Sequence, residues 1–155
     1  MRYYVAYGSN LNTEQMRWRC PAARKFTVGE IKDYRLEFRG GKKSAVATIV
    51  PDEGSSVPVL VWKIEKTDER ALDRYEGFLY LYRKESIKVE TGGKSLTAMV
   101  YVMNEGHSLG MPSDYYLNTI LEGYEEAGFD TNILMEAVEL SAPLLSHEEN
   151  MEMDL

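Results

Sequence analysis

The chain has 155 residues, enough for a single domain that buries a hydrophobic core without cross-links. Its 18 basic and 25 acidic residues give a formal net charge of −7, which argues against nucleic acid as the main partner because phosphate binding requires clustered lysine and arginine. The single cysteine cannot form a disulfide framework, and the two distant histidines are not spaced with it as zinc ligands, so we expect no metal site. The N-terminal residues show no signal or lipidation motif, and no apolar run approaches about 18 residues, so we expect a cytoplasmic protein without membrane attachment.

The first part of the chain predicts a strand, a glycine turn and a short helix. A β-branched and aromatic run covers residues 2–7 and stops at Gly8. Asn12 followed by Gln15 is typical of a capping box at a helix start. This helix should end before the Cys-Pro pair that follows it.

The middle of the chain predicts mainly strands. Strand patterns cover residues 34–38, 45–50 and 57–64. A Gly-Gly turn separates the first two, and the turn-forming sequence PDEGSS separates the second from the third. Thr67 is the predicted N-cap of a helix over residues 68–76, and Gly77 is its predicted stop.

The last part predicts a hairpin, a loop and two helices. The predicted elements are strands over 79–89 and 96–103 joined by Thr91-Gly92-Gly93, a loop over 104–112, a helix from Ser113 to Gly128, and a helix over 131–142. Pro143 should end the last helix. We therefore expect one domain over residues 1–143 and a disordered acidic tail over 144–155. Its class is α+β, a mostly antiparallel sheet or small barrel with flanking helices.

The turn after the first strand is one candidate functional site. A glycine between a strand and a helix leaves consecutive N–H groups pointing the same way, which suits a carboxylate or phosphate. The alternative is a plain turn in which Ser9 and Asn10 bond their own backbone. By spacing alone the plain turn is the better interpretation, because short glycine-rich turns are common.

Glu76 is a second candidate. It lies four residues after Leu72, the best apolar anchor of its helix, so both side chains share one face. Burial and the negative end of the helix dipole would both raise its pKa into the range of a general base. Taken alone, the better interpretation is a solvated carboxylate, since the chain has 25 acidic residues.

Other reactive or charged residues indicate less. Ser9 lacks a nucleophile context, and Cys20 before a proline is typical of a buried small residue. The clustered tyrosines are explained equally by burial, an interface or a pocket; they are Tyr75, Tyr80, Tyr82, Tyr115 and Tyr116. The basic residues are interpreted as solvated surface; they include Arg17, Arg19, Arg24, Lys25, Lys42 and Lys43.

Two ordered motifs resemble the γ-glutamylcyclotransferase (AIG2-like) family. AYGSNL follows the first strand, and ALDRYEG follows a VWKI strand. RCPAA, YRLEF, ATIV, MVYVM and EGYEEAGF also match, so the resemblance covers roughly residues 2–140. The YGSNL form is similar to the bacterial branch of the family and does not indicate the glutathione-specific branch.

The resemblance implies a fold and a reaction. The fold is a mostly antiparallel or mixed sheet forming a small barrel with flanking helices. The α-amine of a γ-glutamyl amino acid or γ-glutamylamine attacks its own γ-carbonyl, which releases 5-oxoproline and the free amine. This is acyl transfer of the lyase type, and it requires no cofactor because the nucleophile belongs to the substrate.

The resemblance also assigns roles to residues. Glu76 of the LDxxEG motif corresponds to the catalytic glutamate. The turn that holds the γ-glutamyl group through backbone N–H groups corresponds to Tyr7, Gly8, Ser9, Asn10 and Leu11. Tyr82 and Tyr116 correspond to pocket tyrosines, with Tyr80 the alternative to Tyr82, because the spacing after the Glu-Gly pair differs from that of the animal enzymes.

Two other hypotheses remain open from the sequence. A non-catalytic module of the same fold would bind small ligands, although such a module has no need of a base. A protein-interaction domain would use the acidic surface and the tyrosines, but it explains none of the motifs. The oligomeric state is not decided by the sequence, and a homodimer is an open alternative.

Overall fold

A computed structural model describes the backbone of residues 1–153 and the side chains of residues 1–142. Its elements are β1 (Arg2–Ala6), a single 3-10 turn (Ser9–Leu11), α1 (Thr13–Arg19), β2 (Arg24–Gly40), β3 (Ala45–Ile64), α2 (Lys66–Glu76), β4 (Tyr82–Thr91), β5 (Lys94–Met103), α3 (Asp114–Ala127) and α4 (Thr131–Met153). Strands and helices follow the predicted order with two differences: the strands predicted over 45–50 and 57–64 are the single strand β3, and β2 begins ten residues before the strand predicted over 34–38.

The five strands form a closed barrel in the order β1-β3-β2-β4-β5. Neighbouring strands are antiparallel except for β1 and β5, which lie parallel at Tyr4 and Met99 and close the barrel. The predicted α+β class and small mixed barrel are confirmed. Closure protects strand edges that would otherwise offer unpaired backbone groups.

The predicted turn PDEGSS is wrong, because β3 continues through it as one strand of 20 residues. Residues 52–55 form an irregularity in β3 opposite Asp33 of β2. Asp33 and Gly54 both have positive φ, 64° and 89°. The Asp33 carboxylate accepts a hydrogen bond from the Gly54 N–H at 3.0 Å. Turn-forming residues are therefore used here to bend a long hairpin rather than to end a strand.

Most predicted caps and turns are confirmed. The Asn12 side chain accepts hydrogen bonds from two N–H groups of the first turn of α1. The Ser113 hydroxyl caps α3 in the same way, and Gly128 ends that helix with left-handed φ. Gly92 and Gly93 both have positive φ in the β4–β5 hairpin, as a two-residue loop of this type requires.

Two helix ends differ from prediction. Helix α2 begins at Lys66 rather than after Thr67, because the Asp68 carboxylate accepts the Glu65 N–H at 2.9 Å and fixes the earlier start. Helix α4 continues past Pro143, where the loss of one backbone donor does not end it. The predicted disordered tail over 144–155 lies outside the described side chains, and its last two residues lie outside the described backbone, so it stays a prediction.

Helix α3 packs against the turn that follows β1. A Cβ atom on Gly123 would lie 2.7 Å from the Leu11 Cβ and 2.9 Å from the Asn12 nitrogen, so only glycine permits this approach. The Asn12 amide also donates to the Thr119 carbonyl of α3 at 3.0 Å. Close packing and hydrogen bonding together fix the turn on the barrel. Within the described residues, no helix has the length and apolar character needed to cross a membrane.

Gly123→Ala should lower the free energy of unfolding by about 1–3 kcal/mol, because the new methyl group must displace backbone atoms of the turn. Urea denaturation measures this loss. The exposed α3 residue Asn118 supplies the control, and Asn118→Ala should leave the free energy nearly unchanged. Equal stability of the two variants would contradict the proposed contact.

Candidate active site

A cavity of about 250 Å³ opens at one end of the barrel. Its walls come from the end of β1, the turn that follows it, residues 46–47 of β3, the end of α2, and single side chains of β4, β5 and α3. Both candidate sites from the sequence, the turn and Glu76, line this one cavity. The structure thus brings together residues that lie more than 60 positions apart in the chain.

The turn presents backbone donors to the cavity. The N–H groups of Gly8, Ser9 and Asn10 have no hydrogen-bond acceptor within the described part of the chain. The Leu11 N–H differs, because it donates to the Gly8 carbonyl at 3.0 Å and closes the turn. Leu11 is fully buried against Gly123 and is not among the residues that line the cavity, so its contact with a substrate stays a prediction. Three donors remain for an anion.

Glu76 lies at the C-terminal end of α2, where Gly77 in left-handed conformation ends the helix. Leu72, one turn earlier, is fully buried and directs this face of α2 inward. Within the described residues the Glu76 carboxylate accepts no hydrogen bond and forms no ion pair. Burial raises its pKa from 4.5 to about 7, and the positive charge of Arg19 opposes this rise.

Two tyrosines of the cavity, one from β4 and one from α3, bond the backbone of Ala47. The Tyr82 hydroxyl donates to the Ala47 carbonyl at 2.6 Å. The Tyr116 hydroxyl accepts from the Ala47 N–H at 3.0 Å, which leaves its own proton available to the cavity. Tyr80 is 91% exposed and lies outside the cavity, because the chain turns at Leu79 with a φ of 79°. Of the two alternatives left open by the sequence, the structure places Tyr82 in the cavity.

Arg19 was wrongly interpreted as solvated surface. Its guanidinium donates to the Asn10 side-chain carbonyl and to the Ser9 hydroxyl, and it stacks 3.5 Å from the centre of the Tyr75 ring. The Gln15 side chain holds it from one turn earlier at 2.9 Å. The spacing of four between Gln15 and Arg19 on a short helix was the one sequence signal for this contact.

Tyr101 of β5 is a further residue of the site that sequence reasoning missed. Its backbone carbonyl accepts from the Tyr7 hydroxyl at 2.6 Å, and its own hydroxyl donates to the Asp73 carboxylate at 2.5 Å. Asp73 precedes Glu76 by three residues on α2. Tyr101 therefore links the strand that leads into the turn with the helix that carries the candidate base.

The chemistry of this cavity is that of acyl transfer with a general base. A carboxyl group with a pKa near 7 can accept and return a proton near neutral pH. Unpaired N–H groups beside it can bind a carboxylate or stabilise an oxyanion. Among the described residues, no group of three or more metal-ligating side chains is found.

Comparison with known proteins identifies the family. The family model described as "Gamma-glutamyl cyclotransferase, AIG2-like" matches residues 4–118. The human protein named gamma-glutamylcyclotransferase is 37% identical over 134 residues, covering 81% of this chain and 71% of its own, and the mouse protein of that name gives the same figures. The chain belongs to the gamma-glutamyl cyclotransferase, AIG2-like family.

Solved structures agree with this assignment. A structure named gamma-glutamyl cyclotransferase superposes with a TM-score of 0.79 at 33% identity, covering 88% of this chain and 85% of that one. YkqA from Bacillus subtilis shares the fold with a TM-score of 0.73 at 19% identity, covering 94% of this chain and 53% of that one. Neither the human nor the mouse relative tests the assignment to a bacterial branch, which stays a prediction.

Glu76→Gln should stabilise the protein at alkaline pH. The native carboxyl holds its proton up to about pH 7, whereas the unfolded one loses it near 4.5, so native stability falls as pH rises through this interval. The difference between the two pKa values sets an upper limit of about 3 kcal/mol on the stability that Glu76→Gln gains at pH 8. This gain in stability should vanish below pH 4.5.

Urea denaturation at several pH values between 4 and 8 measures this difference. Glu105 is an exposed carboxylate outside the cavity, so Glu105→Gln should follow the native pH dependence. A Glu76→Gln variant whose stability falls as steeply as that of the native protein would contradict the burial of this carboxylate.

Proposed function

We propose that this member of the gamma-glutamylcyclotransferase family converts a γ-glutamyl amino acid or γ-glutamylamine into 5-oxoproline and the free amine. The observation that carries the proposal is the shared cavity of Glu76 and the turn of unpaired N–H groups. One group can move a proton, and the other can hold an anion. A cyclisation in which the substrate attacks itself needs little more.

The reaction balances with Glu76 as the proton carrier. The carboxylate takes a proton from the α-ammonium of the substrate, and the freed nitrogen attacks the γ-carbonyl carbon to give a tetrahedral intermediate. Glu76 passes its proton to the leaving nitrogen as the bond to carbon breaks, and it then carries the surplus proton of the new ring nitrogen to the released amine. The products are the five-membered lactam and an ammonium ion, and Glu76 ends as a carboxylate. A pKa near 7 lets one group perform these transfers.

The free N–H groups of Gly8, Ser9 and Asn10 bind the negative charge of the substrate. That charge lies on the α-carboxylate throughout and on the γ-oxygen in the intermediate, and backbone donors suit both. Holding the γ-glutamyl arm bent brings the amine to the carbonyl. Such orientation contributes up to about 7–11 kcal/mol in intramolecular reactions.

The tyrosines shape the pocket. The Tyr82 hydroxyl donates its proton to the Ala47 carbonyl and has none left for the substrate, so we assign Tyr82 the role of a wall residue that excludes water. Tyr116 retains its proton and faces Gly8, since a methyl group added at Gly8 would lie 3.6 Å from the Tyr116 oxygen, so we assign it a hydrogen bond to the substrate. Tyr7 anchors the turn to β5 through its hydroxyl.

A cytoplasmic location is part of the proposal. It is supported by the single cysteine, Cys20, which is free, since cytoplasmic proteins keep their thiols reduced. Small-molecule substrates are the proposed partners. The acidic composition supports the proposal that nucleic acid is not among them.

The test is release of 5-oxoproline from a panel of γ-glutamyl amino acids, γ-glutamylamines and glutathione, measured by mass spectrometry. Glu76→Gln should lower kcat by about 10²–10⁴-fold, because a general base of this kind contributes that factor. Glu105→Gln is the matched control and should retain native turnover, since Glu105 lies outside the cavity.

Native kcat/KM should fall on the acidic side with a midpoint near pH 7, because protonated Glu76 cannot accept a proton. Full turnover by Glu76→Gln would contradict the assigned role. Binding of γ-glutamyl compounds without any 5-oxoproline would instead favour a non-catalytic ligand-binding module.

A further inference from the structure

We propose that Arg19 is a positioning residue that fastens the turn of N–H donors to the end of α2 and supplies positive charge to the cavity carboxylate. This inference rests on the proposed function, and it concerns a residue that does not itself line the cavity. Arg19 lies at the C-terminal end of α1 and is the first residue of the RCPAA motif, which does not line the cavity.

Three contacts fix the guanidinium. It donates to the Asn10 side-chain carbonyl and, at 3.3 Å, to the Ser9 hydroxyl. Its second terminal nitrogen donates to the Gln15 side chain at 2.9 Å. The planar group therefore bridges α1 and the turn with a fork of donors, which a lysine cannot reproduce.

The same guanidinium reaches α2. It lies 3.5 Å from the centre of the Tyr75 ring, and the Tyr75 hydroxyl is 2.9 Å from the Ser9 hydroxyl. Ser9, Arg19 and Tyr75 thus each contact the other two. Tyr75 directly precedes Glu76, so a shift of the turn or of the ring changes the distance between donors and base.

Arg19 also acts through charge. It opposes the rise that burial causes in the pKa of Glu76, and within the described residues it is the one charged group that does so. The other ionisable groups lining the cavity are phenols, those of Tyr4, Tyr7, Tyr75, Tyr82, Tyr101 and Tyr116. Burial raises the pKa values of five of these phenols, so that they remain uncharged; they are Tyr4, Tyr7, Tyr82, Tyr101 and Tyr116. With these phenols uncharged, loss of Arg19 removes the one charge among the described residues that opposes the rise in the pKa of Glu76.

The residues of α1 provide a matched set of variants. Arg19→Met removes both the positive charge and the hydrogen-bond donors of the guanidinium. Arg19→Lys keeps the charge but loses the paired donors and the stacking on the Tyr75 ring. Arg17 is an exposed arginine of the same helix and lies outside the cavity, so Arg17→Met removes an equal charge without these contacts. Circular dichroism confirms that each variant folds.

Two readouts separate positioning from general stability. For Arg19→Met we expect kcat/KM to fall by about 10²-fold, because a small displacement of the turn misplaces the substrate. We also expect the acidic midpoint of the pH profile of kcat/KM to lie at higher pH than in the native enzyme. For Arg19→Lys we expect the native midpoint with a kcat below native. Arg17→Met should match the native enzyme in both. Native kcat/KM and midpoint in Arg19→Met would overturn the proposal, and so would an equal change in Arg17→Met.

A second measurement does not depend on turnover. In protein labelled with ¹³C at glutamate, the Glu76 carboxyl resonance should titrate at higher pH in Arg19→Met than in the native protein or in Arg19→Lys. An unchanged titration would overturn the electrostatic role even if the native protein forms no 5-oxoproline. Absence of 5-oxoproline together with the expected titration shift would contradict the proposed function alone.

Discussion

The carboxylate of Glu76 is half-buried in the cavity wall without a hydrogen-bond donor among the described residues, and this constraint governs the rest of the site. A donor would stabilise the charged form and return the pKa toward 4.5, which would make a poor base near neutral pH. Two of the phenols around the carboxylate donate their protons elsewhere, since Tyr82 bonds a backbone carbonyl and Tyr101 bonds Asp73. The free N–H groups of the turn are thus open to a substrate, whereas no donor among the described residues bonds the Glu76 carboxylate.

The barrel brings Glu76 and the turn together because strand β1 and helix α2 have nearly equal lengths. Strands β1 and β3 are antiparallel, so the chain leaves β3 beside Arg2, at the end of β1 opposite the turn. Helix α2 has 11 residues and a length of about 16 Å at 1.5 Å per residue. Strand β1 has five residues and spans about 17 Å at 3.4 Å per residue. Running back along β1, α2 therefore ends level with the turn, and the Arg2–Glu69 ion pair at 2.8 Å fixes its first half.

Local sequence signals predicted those parts of the fold that local chemistry determines. The caps at Asn12 and Ser113 follow from side chains that satisfy nearby N–H groups. The bend at residues 52–55 does not, since only pairing with β2 distinguishes an irregular strand from a turn. Arg19 was missed for the same reason, because its partners come from another helix and from a turn that only the folded barrel brings near. Glu76 was found through spacing and family resemblance, whereas its lack of a donor depends on the whole cavity.

Most residues of the ALDRYEG motif have a structural role that the contacts explain. Leu72 fills the core and sets the face of α2, and Asp73 bonds a phenol of β5 whose backbone carbonyl holds the start of the turn. Tyr75 meets a serine of the turn, Glu76 enters the cavity, and Gly77 takes the left-handed conformation that ends the helix at once. Two independent bridges therefore tie the base to the donors, one from Asp73 through Tyr101 to Tyr7 and one from Tyr75 to Ser9. An enzyme whose substrate carries its own nucleophile depends on this fixed distance more than on any further reactive group.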